Sequence, residues 1–294
     1  MKVLLALDSS PASQHVVNAA ITRPWPSGTI FCVMSVVDVG RPERHPALVE
    51  DGKLQTQPLV EHAADKLIQS GHKALAVVQS GFPKKAIPEY AKQWGTDLIM
   101  VGSHGQGAFT RFLLGSVAEA VLRASPCSVE IVRHNPASAH PLQGMKILLA
   151  SDGSSCSAKA VLSVANRPWP AESQVNIVSV VQLLTPEIPN TAAPLASEYP
   201  TSLLERVWKE ARTHAEAAVA DAQNTLSATD LKICERRATP VGEPRALILD
   251  EAKEWGADLI VLGSHGRHGL DRMLVGSVSE SVALYAHCCV EVVR

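Results

Sequence analysis

Apolar and polar positions alternate along the first 132 residues in blocks that predict strands and helices in turn. Continuous apolar, β-branched runs predict five buried strands, at Lys2–Leu7, Thr29–Val37, Lys73–Gln79, Asp97–Val101 and Cys127–Val132. Segments with helical spacing predict helices from Pro11 to about Ile21, over Leu59–Ser70, over roughly Lys85–Trp94 and over Ser116–Ala124. The alternation predicts an α/β fold with a five-stranded parallel sheet of order 3-2-1-4-5, right-handed crossovers and helices on both faces.

Local signals support these boundaries, with one conflict. Ser10 and Pro11 suit the N-cap and first position of a helix, and Gly71 and Gly95 suit helix ends. Pro88 falls inside the third helix, where its ring removes a backbone donor. We therefore expect that helix to start late or to kink.

The chain repeats itself once. Val3–Asp8 resembles Ile147–Asp152, and Arg-Pro-Trp-Pro at residues 23–26 recurs at 167–170, both at an offset of 144 residues. Gly-Ser-His-Gly at 102–105 recurs at 263–266 at an offset of 161, so the second copy carries 17 extra residues after its second strand. The repeat predicts two tandem doubly wound domains, over 1–134 and 145–294, joined by a Pro-containing polar linker over 135–144.

Composition excludes several classes of protein. Hydrophobic residues make up 46% of the 294 positions and charged residues 19%, which is typical of a globular protein. A net charge of −2 gives no basic footprint, so we expect no nucleic-acid partner. We expect no membrane span, because no apolar run is long enough, and a cytoplasmic location, because Asp8 interrupts the N-terminal apolar run. The six cysteines form no CxxC pair and predict reduced thiols.

The candidate chemistry lies in a shared G-x2-G-x9-G-S pattern after the fourth strand of each copy. It comprises Gly102, Gly105, Gly115, Ser116 and then Val117 in the first copy, and Gly263, Gly266, Gly276, Ser277 and then Val278 in the second. Glycines at strand ends let a backbone approach a ligand, and the final Gly-Ser opens a helix whose N-terminus favours phosphate. The serine hydroxyls would donate to the same anion.

The first two strands supply the other half of the predicted site. Ligands of doubly wound sheets bind beyond the carboxyl ends of the strands, where strands one and four are neighbours. Asp8 and Asp152 then face the glycine loops, where a carboxylate would accept hydrogen bonds from ribose hydroxyls or hold a phosphate-bound Mg²⁺. Val36 and Val180 end the second strands and could present backbone groups to a flat base. The alternative is that both aspartates only cap the first helices.

Other repeated residues have two interpretations each. His104 and His265 could be general bases, although a purely backbone role is favoured; Arg111 and Arg272 could reach a γ-phosphate or form salt bridges. For Trp25 and Trp169 a packing role is favoured over partner binding. Cys127 and Cys288 are interpreted as buried small residues and not as redox sensors. The Pro-rich insertion at Leu183–Pro200 is a surface loop or a lid on the second site. Neither a P-loop nor a G-x-G-x-x-G fingerprint is present.

These motifs resemble those of the universal stress protein family, and the whole chain is similar to a tandem member of its ATP-binding branch. The resemblance implies ATP, or ADP or AMP, commonly with Mg²⁺. It places the ribose at Asp8 and Gly102, the phosphates at Gly105, Gly115 and Ser116, and the base at Val36, with the equivalent positions in the second copy. The family usually dimerises through its last strand, which implies an internal pseudo-dimer of the two domains and a further homodimer.

Three functional hypotheses remain open at this point. The first is a nucleotide-binding regulatory or stress-response protein in which occupancy shifts an equilibrium between states. The second is a slow ATPase or autophosphorylating phosphotransferase; fast turnover is not expected, because no obvious general base or P-loop lysine is present. The third is an interaction module that holds nucleotide structurally.

Overall fold

The computed structural model describes residues 1–38, 40, 46–104, 114–133, 144–181, 201–234, 240–266 and 275–294. Of the sequence predictions, Gly105, Arg111, Arg272, the insertion at Leu183–Pro200 and the predicted linker except Gly144 lie outside these residues.

The first domain alternates strands and helices as the hydrophobic pattern predicts. Its elements are β1 (Lys2–Ala6), α1 (Pro11–Thr22), β2 (Ile30–Val37), α2 (Pro46–Gln69), β3 (Lys73–Ser80), α3 (Pro83–Trp94), β4 (Leu98–Gly102), α4 (Ser116–Ala124) and β5 (Ser128–Val132).

The second domain repeats this order. Its elements are β6 (Lys146–Ala150), α5 (Ser155–Ala165), β7 (Gln174–Val178), α6 (Thr201–Leu226), β8 (Lys232–Ile233), α7 (Pro244–Trp255), β9 (Leu259–Gly263), α8 (Ser277–Tyr285) and β10 (Cys289–Val293).

The ten strands of the described residues form one sheet, in the order β3-β2-β1-β4-β5-β10-β9-β6-β7-β8. Within each domain the neighbouring strands are parallel and follow the predicted order 3-2-1-4-5, which confirms the α/β fold of two tandem doubly wound domains. The domains meet where β5 and β10 pair antiparallel, with Glu130 opposite Glu291. The last strands therefore join the domains as an internal pseudo-dimer.

The helices cover both faces of the sheet and bury two apolar layers. Alternate strand residues point to opposite faces, so Val3 and Leu5 belong to one layer and Leu4 and Ala6 to the other. Helices α1, α2, α5 and α6 pack on the first face, and α3, α4, α7 and α8 on the second. Burial on both faces explains why each strand is a continuous apolar run.

Two helices differ from the sequence prediction. Helix α2 begins at Pro46, well before Leu59, and runs through Pro58. A Cβ on Gly52 would lie 2.5 Å from Val37 Cγ1, so the added helical turns pack directly on the end of β2. Helix α3 begins early, at Pro83, and includes Pro88. The prediction of a late start is therefore wrong, because Pro83 occupies the first helical position, where a missing N–H costs nothing.

The repeated Arg-Pro-Trp-Pro segment stabilises the joint between the domains. Its arginines, Arg23 and Arg167, form buried ion pairs with Glu130 and Glu291, the two carboxylates that face each other across β5 and β10. Burial lowers the pKa of Arg23, but the charge of Glu130, its hydrogen bond to Arg23 and the charges of Cys289 and Glu291 together outweigh it and leave the pKa above its ordinary value. Removal of one partner from such a pair leaves an uncompensated buried charge, which costs about 3–5 kcal/mol.

The tryptophans of the same segment pack within their own domains. The indole N–H of Trp25 donates to the carbonyl of Ala20 and that of Trp169 to Val164, each at 2.8 Å. The ring of Trp25 also meets the buried ring of Phe31 edge-to-face at 5.3 Å between centroids. These contacts agree with the packing role expected from the sequence.

Candidate functional site

Each domain has a cavity at the carboxyl ends of its strands. Cavity 1, in the first domain, has a volume of about 860 Å³ and lies between the ends of β1, β2 and β4 and the start of α4. The sequence-predicted residues that line it are Asp8, Val36, Gly102, Gly115, Ser116 and Val117. All the described candidates of this domain therefore converge on one space.

Cavity 2 occupies the corresponding place in the second domain, with a volume of about 360 Å³. The candidates that line it are Asp152, Val180, Gly263, Gly266, Gly276, Ser277 and Val278. Both volumes fall in or near the range of small-molecule sites in proteins, about 300–1,000 Å³.

Asp8 organises the turn between β1 and α1. Its Oδ1 accepts hydrogen bonds from the backbone N–H of Ser10 at 3.0 Å, from the Ser10 hydroxyl, and from the Ser13 hydroxyl at 2.8 Å. The N-cap of α1 is Ser10, as predicted, although its side chain makes no cap hydrogen bond. Asp8 is therefore not itself the helix cap, and its carboxylate is fixed at the wall of cavity 1.

Asp152 holds the equivalent turn in the second domain. Its Oδ1 accepts from the N–H of Ser154 at 3.0 Å, and Ser154 is the N-cap of α5, accepting from the N–H of Ser157. The other oxygen, Oδ2, lies against Gly266, where an added Cβ would approach it to 2.9 Å. The carboxylate thus bridges the first helix and the glycine loop of the same cavity.

Gly102 and Gly263 allow the first helix of each domain to approach the strand end closely. A Cβ on Gly102 would lie 2.8 Å from Ala12 Cβ, and one on Gly263 would lie 2.6 Å from the carbonyl carbon of Cys156. The sequence interpretation assigned these glycines to a ligand. The structure shows that their immediate neighbour is α1 or α5.

The last helices of the domains begin at the cavities without a side-chain cap. Gly115 and Gly276 are the N-caps of α4 and α8, and neither helix has a side-chain cap hydrogen bond. The N–H of each glycine is bound by the preceding loop, Gly115 to Ser103 and Gly276 to Ser264, both at 2.7 Å. The next N–H groups have no partner within the helix and carry partial positive charge towards the cavity.

The histidines of the glycine loops are held by their neighbours. The Nδ1 atoms of His104 and His265 lie 3.0 Å from the hydroxyls of Ser103 and Ser264. Burial, and then the charge of Arg294, lower the pKa of His265, so its ring is neutral at pH 7. Its Nε2 is buried and has no hydrogen-bond partner among the described residues.

Sequence reasoning missed the walls that α2 and α6 contribute. Gln55, Thr56 and Leu59 of α2 line cavity 1, while Ala211, His214 and Ala215 of α6 line cavity 2. The prediction began α2 at Leu59 and therefore left out the turns that extend beyond the strand ends.

The starts of α3 and α7 also line the cavities and were not predicted to do so. The residues are Pro83 and Ile87 in the first domain and Pro244 and Ile248 in the second. Their shared spacing in the two copies was a signal available in the sequence.

The second strands end differently in the two domains. Strand β2 continues to Val37, so Val36 lies within a strand at the wall of cavity 1. Strand β7 stops at Val178, and Val180 lies just beyond it, before Val181 forms an isolated parallel bridge with Val241. Equivalent residues of the two domains thus line the two cavities, but the cavities differ in shape where a base is expected.

The six cysteines, all of which the structure describes, are free thiols. Burial raises the pKa of Cys127 to about 12 and that of Cys288 well above its ordinary value. Neither thiol has the low pKa that a redox sensor needs. Over the described ranges, no cluster of three His, Cys, Asp or Glu side chains could hold a metal ion, and no helix is long and apolar enough to cross a membrane.

Comparisons with known proteins match this arrangement. A universal stress protein of Mycobacterium bovis and one of Mycobacterium tuberculosis H37Rv are each 31% identical over 204 residues, covering 67% of this chain and 62% of theirs. The chain thus spans less than two thirds of the length of these relatives.

Solved structures share the fold. A universal stress protein from Archaeoglobus fulgidus matches with a TM-score of 0.67 at 21% identity, covering 100% of this chain and 96% of that one. A functionally unknown protein from Pseudomonas aeruginosa matches with a TM-score of 0.63 at 18% identity, covering 99% and 92%. A sequence profile described as "Universal stress protein family" matches residues 1–133 and again residues 145–294. Two successive matches, on two domains that repeat one fold and one cavity, show that this chain belongs to the universal stress protein family and carries its domain twice in tandem.

Proposed function

We propose that the protein is a stress-response regulator that binds an adenine nucleotide, ATP with Mg²⁺, in each of its two cavities. One observation carries the proposal: in both domains, every described candidate residue lines a single cavity at the carboxyl ends of the strands. These residues belong to sequence motifs that are far apart along the chain, and their convergence on one cavity supports the proposal.

The phosphates would bind at the start of α4 and α8. Uncapped N–H groups and the hydroxyls of Ser116 and Ser277, which are exposed at the cavities, offer donors to an anion. Gly266 adds an exposed backbone beside cavity 2. The first turn of each helix also carries one acidic residue, Glu119 or Glu280, and the three helical residues before it are uncharged.

The ribose would bind at Asp8 and Asp152. Oδ1 of Asp8 accepts from serine hydroxyls and a backbone N–H, and Oδ1 of Asp152 accepts from the backbone N–H of Ser154, which orients both carboxylates. In domain 2, Oδ2 faces Gly266 on the cavity side, so it can accept a hydrogen bond from a sugar hydroxyl. The base would lie against Val36 or Val180.

The described residues fit Mg²⁺ only as an ion carried by the nucleotide. Among the described residues, cavity 2 has one lining carboxylate, Asp152, and cavity 1 has Asp8 and Asp38, and these are too few ligands to hold the ion alone. Mg²⁺ keeps several waters and is commonly bound through one or two carboxylates and substrate phosphates. When bound, it would neutralise phosphate charge next to the aspartates.

A slow ATPase is the second candidate function, and His265 favours it. Its neutral imidazole lines cavity 2 together with Gly276 and Ser277, and a neutral ring can accept a proton. A time course of ADP formation, compared with that of His265→Gln, separates this activity from simple binding.

The proposal also includes a homodimer of the whole chain. Large apolar side chains are exposed on the two long helices, Leu54 at 74% on α2 and Trp208 at 43% on α6. Light scattering of the purified chain, with and without Mg-ATP, would show whether a second copy covers them and whether nucleotide shifts the equilibrium.

The decisive experiment measures nucleotide directly. The purified chain is denatured, and the released nucleotide is identified and counted by chromatography, before and after incubation with Mg-ATP. We expect one adenine nucleotide per domain, and one domain's share to disappear in Ser116→Asp or Ser277→Asp, which place a carboxylate at a helix N-terminus. Ser227→Asp, at an exposed position just beyond the end of α6 and outside the lining of both cavities, is the charge-matched control. A chain that retains no nucleotide under any of these conditions would contradict the proposal.

A further inference from the structure

The arginines that follow the last strands, Arg133 and Arg294, each donate hydrogen bonds to a helix end of the other domain. Arg133 follows β5, and its Nη2 donates to the carbonyls of Ala283 and Leu284 at the end of α8, at 2.6 and 3.1 Å. Arg294 follows β10, and its Nη2 donates to the carbonyls of Leu122 and Arg123 at the end of α4, at 2.9 and 3.0 Å. The exchange is reciprocal, because the antiparallel pairing of the last strands points each chain end at the other domain.

The contacted helices are the ones that begin at the cavities. Helix α4 starts with Ser116 at cavity 1 and helix α8 with Ser277 at cavity 2. Each helix has nine residues and is therefore about 13 Å long. A guanidinium at the C-terminal carbonyls satisfies acceptors that the helix leaves open and opposes its dipole. Each arginine thus binds the C-terminal end of a helix whose N-terminal end would bind the phosphates.

Both guanidinium groups are partly removed from water for this contact. Burial lowers the pKa of Arg133 and of Arg294, and no carboxylate among the described residues forms an ion pair with either. Instead, their hydrogen bonds go to backbone carbonyls of the other domain. The desolvation is therefore compensated by the helix ends and not by a salt bridge.

The connection of each arginine to its own domain is made by the backbone. The carbonyl of Val293, next to Arg294, accepts from the N–H of Ser264, which begins the glycine loop of cavity 2. Val132, next to Arg133, does the same for Ser103 and cavity 1. A side-chain substitution leaves these bonds in place, so the hydrogen bonds that it removes are those to the opposite domain. The charge of Arg294 also acts within its own domain, where it lowers the pKa of His265, and lysine at this position keeps that charge.

We propose that Arg294 is a positioning residue for the nucleotide site of domain 1, and Arg133 for that of domain 2, each fixing in trans the helix that binds the phosphates. The inference rests on the proposed function and extends it, because it makes each site dependent on the other domain. The two domains would then be unable to bind nucleotide independently, although every lining residue of a cavity comes from one domain.

The test reads each site separately. With Ser277→Asp closing cavity 2, titration with Mg-ATP reports cavity 1; with Ser116→Asp, it reports cavity 2. We expect Arg294→Met, which keeps the aliphatic stem, to weaken binding about tenfold at cavity 1 and by less than about twofold at cavity 2. Arg133→Met should show the opposite pattern. Lysine at either position should restore part of the affinity, because it also donates to carbonyls.

A matched control lies on a neighbouring helix of domain 1. Lys92 is an exposed basic residue in the last turn of α3 and lines neither cavity. Lys92→Met removes a positive charge at a helix end but leaves the carbonyl contacts of Arg133 and Arg294, so we expect both affinities to be unchanged. The proposal would be overturned if affinity fell only at the cavity in the arginine's own domain, if it fell equally at both cavities, or if it fell at neither.

A second measurement needs no nucleotide. In the unliganded chain, hydrogen exchange at Glu119 and the following amides of α4 should rise in Arg294→Met, while exchange in α8 stays at the parent level, and the reverse should hold for Arg133→Met. If Mg-ATP binds at neither cavity of the parent chain, the proposed function fails, and this crossed pattern alone decides whether the arginines position the helices. Exchange that changes in both helices or in neither would overturn the inference.

Discussion

Single residues set how closely the strand ends and the first helices approach one another. Gly102 and Gly263 end β4 and β9, and both are followed by the loops that lead to the cavities. The space above each glycine is filled by a helix of the same domain. The missing side chain therefore brings an aspartate-bearing turn and a glycine loop together at the same edge of the sheet, which is a requirement for either cavity.

Alanine at these two positions should destabilise the domains unequally. At Gly263 the added Cβ would meet backbone atoms, Cys156 C at 2.6 Å and Ser157 N at 2.7 Å, which cannot rotate away. At Gly102 its nearest contact would be Ala12 Cβ at 2.8 Å. We expect urea unfolding to show a loss of about 2–3 kcal/mol for Gly263→Ala and about 1 kcal/mol for Gly102→Ala.

A second-site change separates this clash from other effects of alanine. Ala12→Gly removes the atom nearest to the new Cβ, so the double variant with Gly102→Ala should be less destabilised than the sum of the two single variants. Strict additivity, or equal losses at Gly102 and Gly263, would contradict the steric explanation.

Helix α3 shows how an element can include a residue that disfavours it. Pro88 cannot donate to the carbonyl four residues before it, yet the helix runs from Pro83 to Trp94 and Pro88 is buried with Ile87 and Ala91. The apolar face of the helix packs on the sheet, and this burial outweighs the lost hydrogen bond. The corresponding position in α7 is Leu249, so the second domain keeps the packing without the proline.

Replacing Pro88 should therefore stabilise the first domain. Pro88→Ala restores a backbone donor, and we expect the free energy of unfolding to rise by about 1 kcal/mol, because the gain in helix propensity exceeds the lost packing and the added freedom of the unfolded chain. Pro83→Ala in the same helix is the control, since proline is already favoured at the first position. Thermal or urea unfolding that ranks Pro83→Ala as more stable than Pro88→Ala would show that this reasoning is wrong.

The whole molecule is organised around the pairing of β5 with β10. These strands lie at the centre of the ten-stranded sheet, and the buried Arg23–Glu130 and Arg167–Glu291 pairs flank their contact. The shared sheet makes the two domains one structural unit. Opposed carboxylates at this position also require both arginines, so incorrect registers of the two strands would leave a buried charge without a partner.

This arrangement predicts the pattern of hydrogen exchange across the sheet. Amides of Val129, Ile131, Val290 and Val292 should exchange only on global unfolding, whereas those of the edge strands β3 and β8 should exchange through local opening. Mass spectrometry of the intact, unliganded chain would measure both. Central amides that exchange as fast as the edges would mean that the domains separate in solution.

The apolar runs and the repeat predicted the strands and their order, which the structure confirms, and the candidate residues that converge on the two cavities. The recurrence of Asp8 and of the glycine motif in a second copy favoured a site over chance turns. These features follow from local chemistry and from connection rules that allow only a few strand orders.

The start of α2 and the contacts between the domains depend on tertiary packing, which the sequence patterns do not reveal. The early start of α2 at Pro46 depends on contact between Gly52 and Val37, which no helical periodicity around Pro58 reveals. The exchange of Arg133 and Arg294 depends on the docking of the two domains, because each contact joins residues that are 150 or more positions apart. Hydrophobic patterns indicate whether a residue is buried, but they do not indicate which residues it contacts. For Arg133 and Arg294 those contacts lie in the other domain.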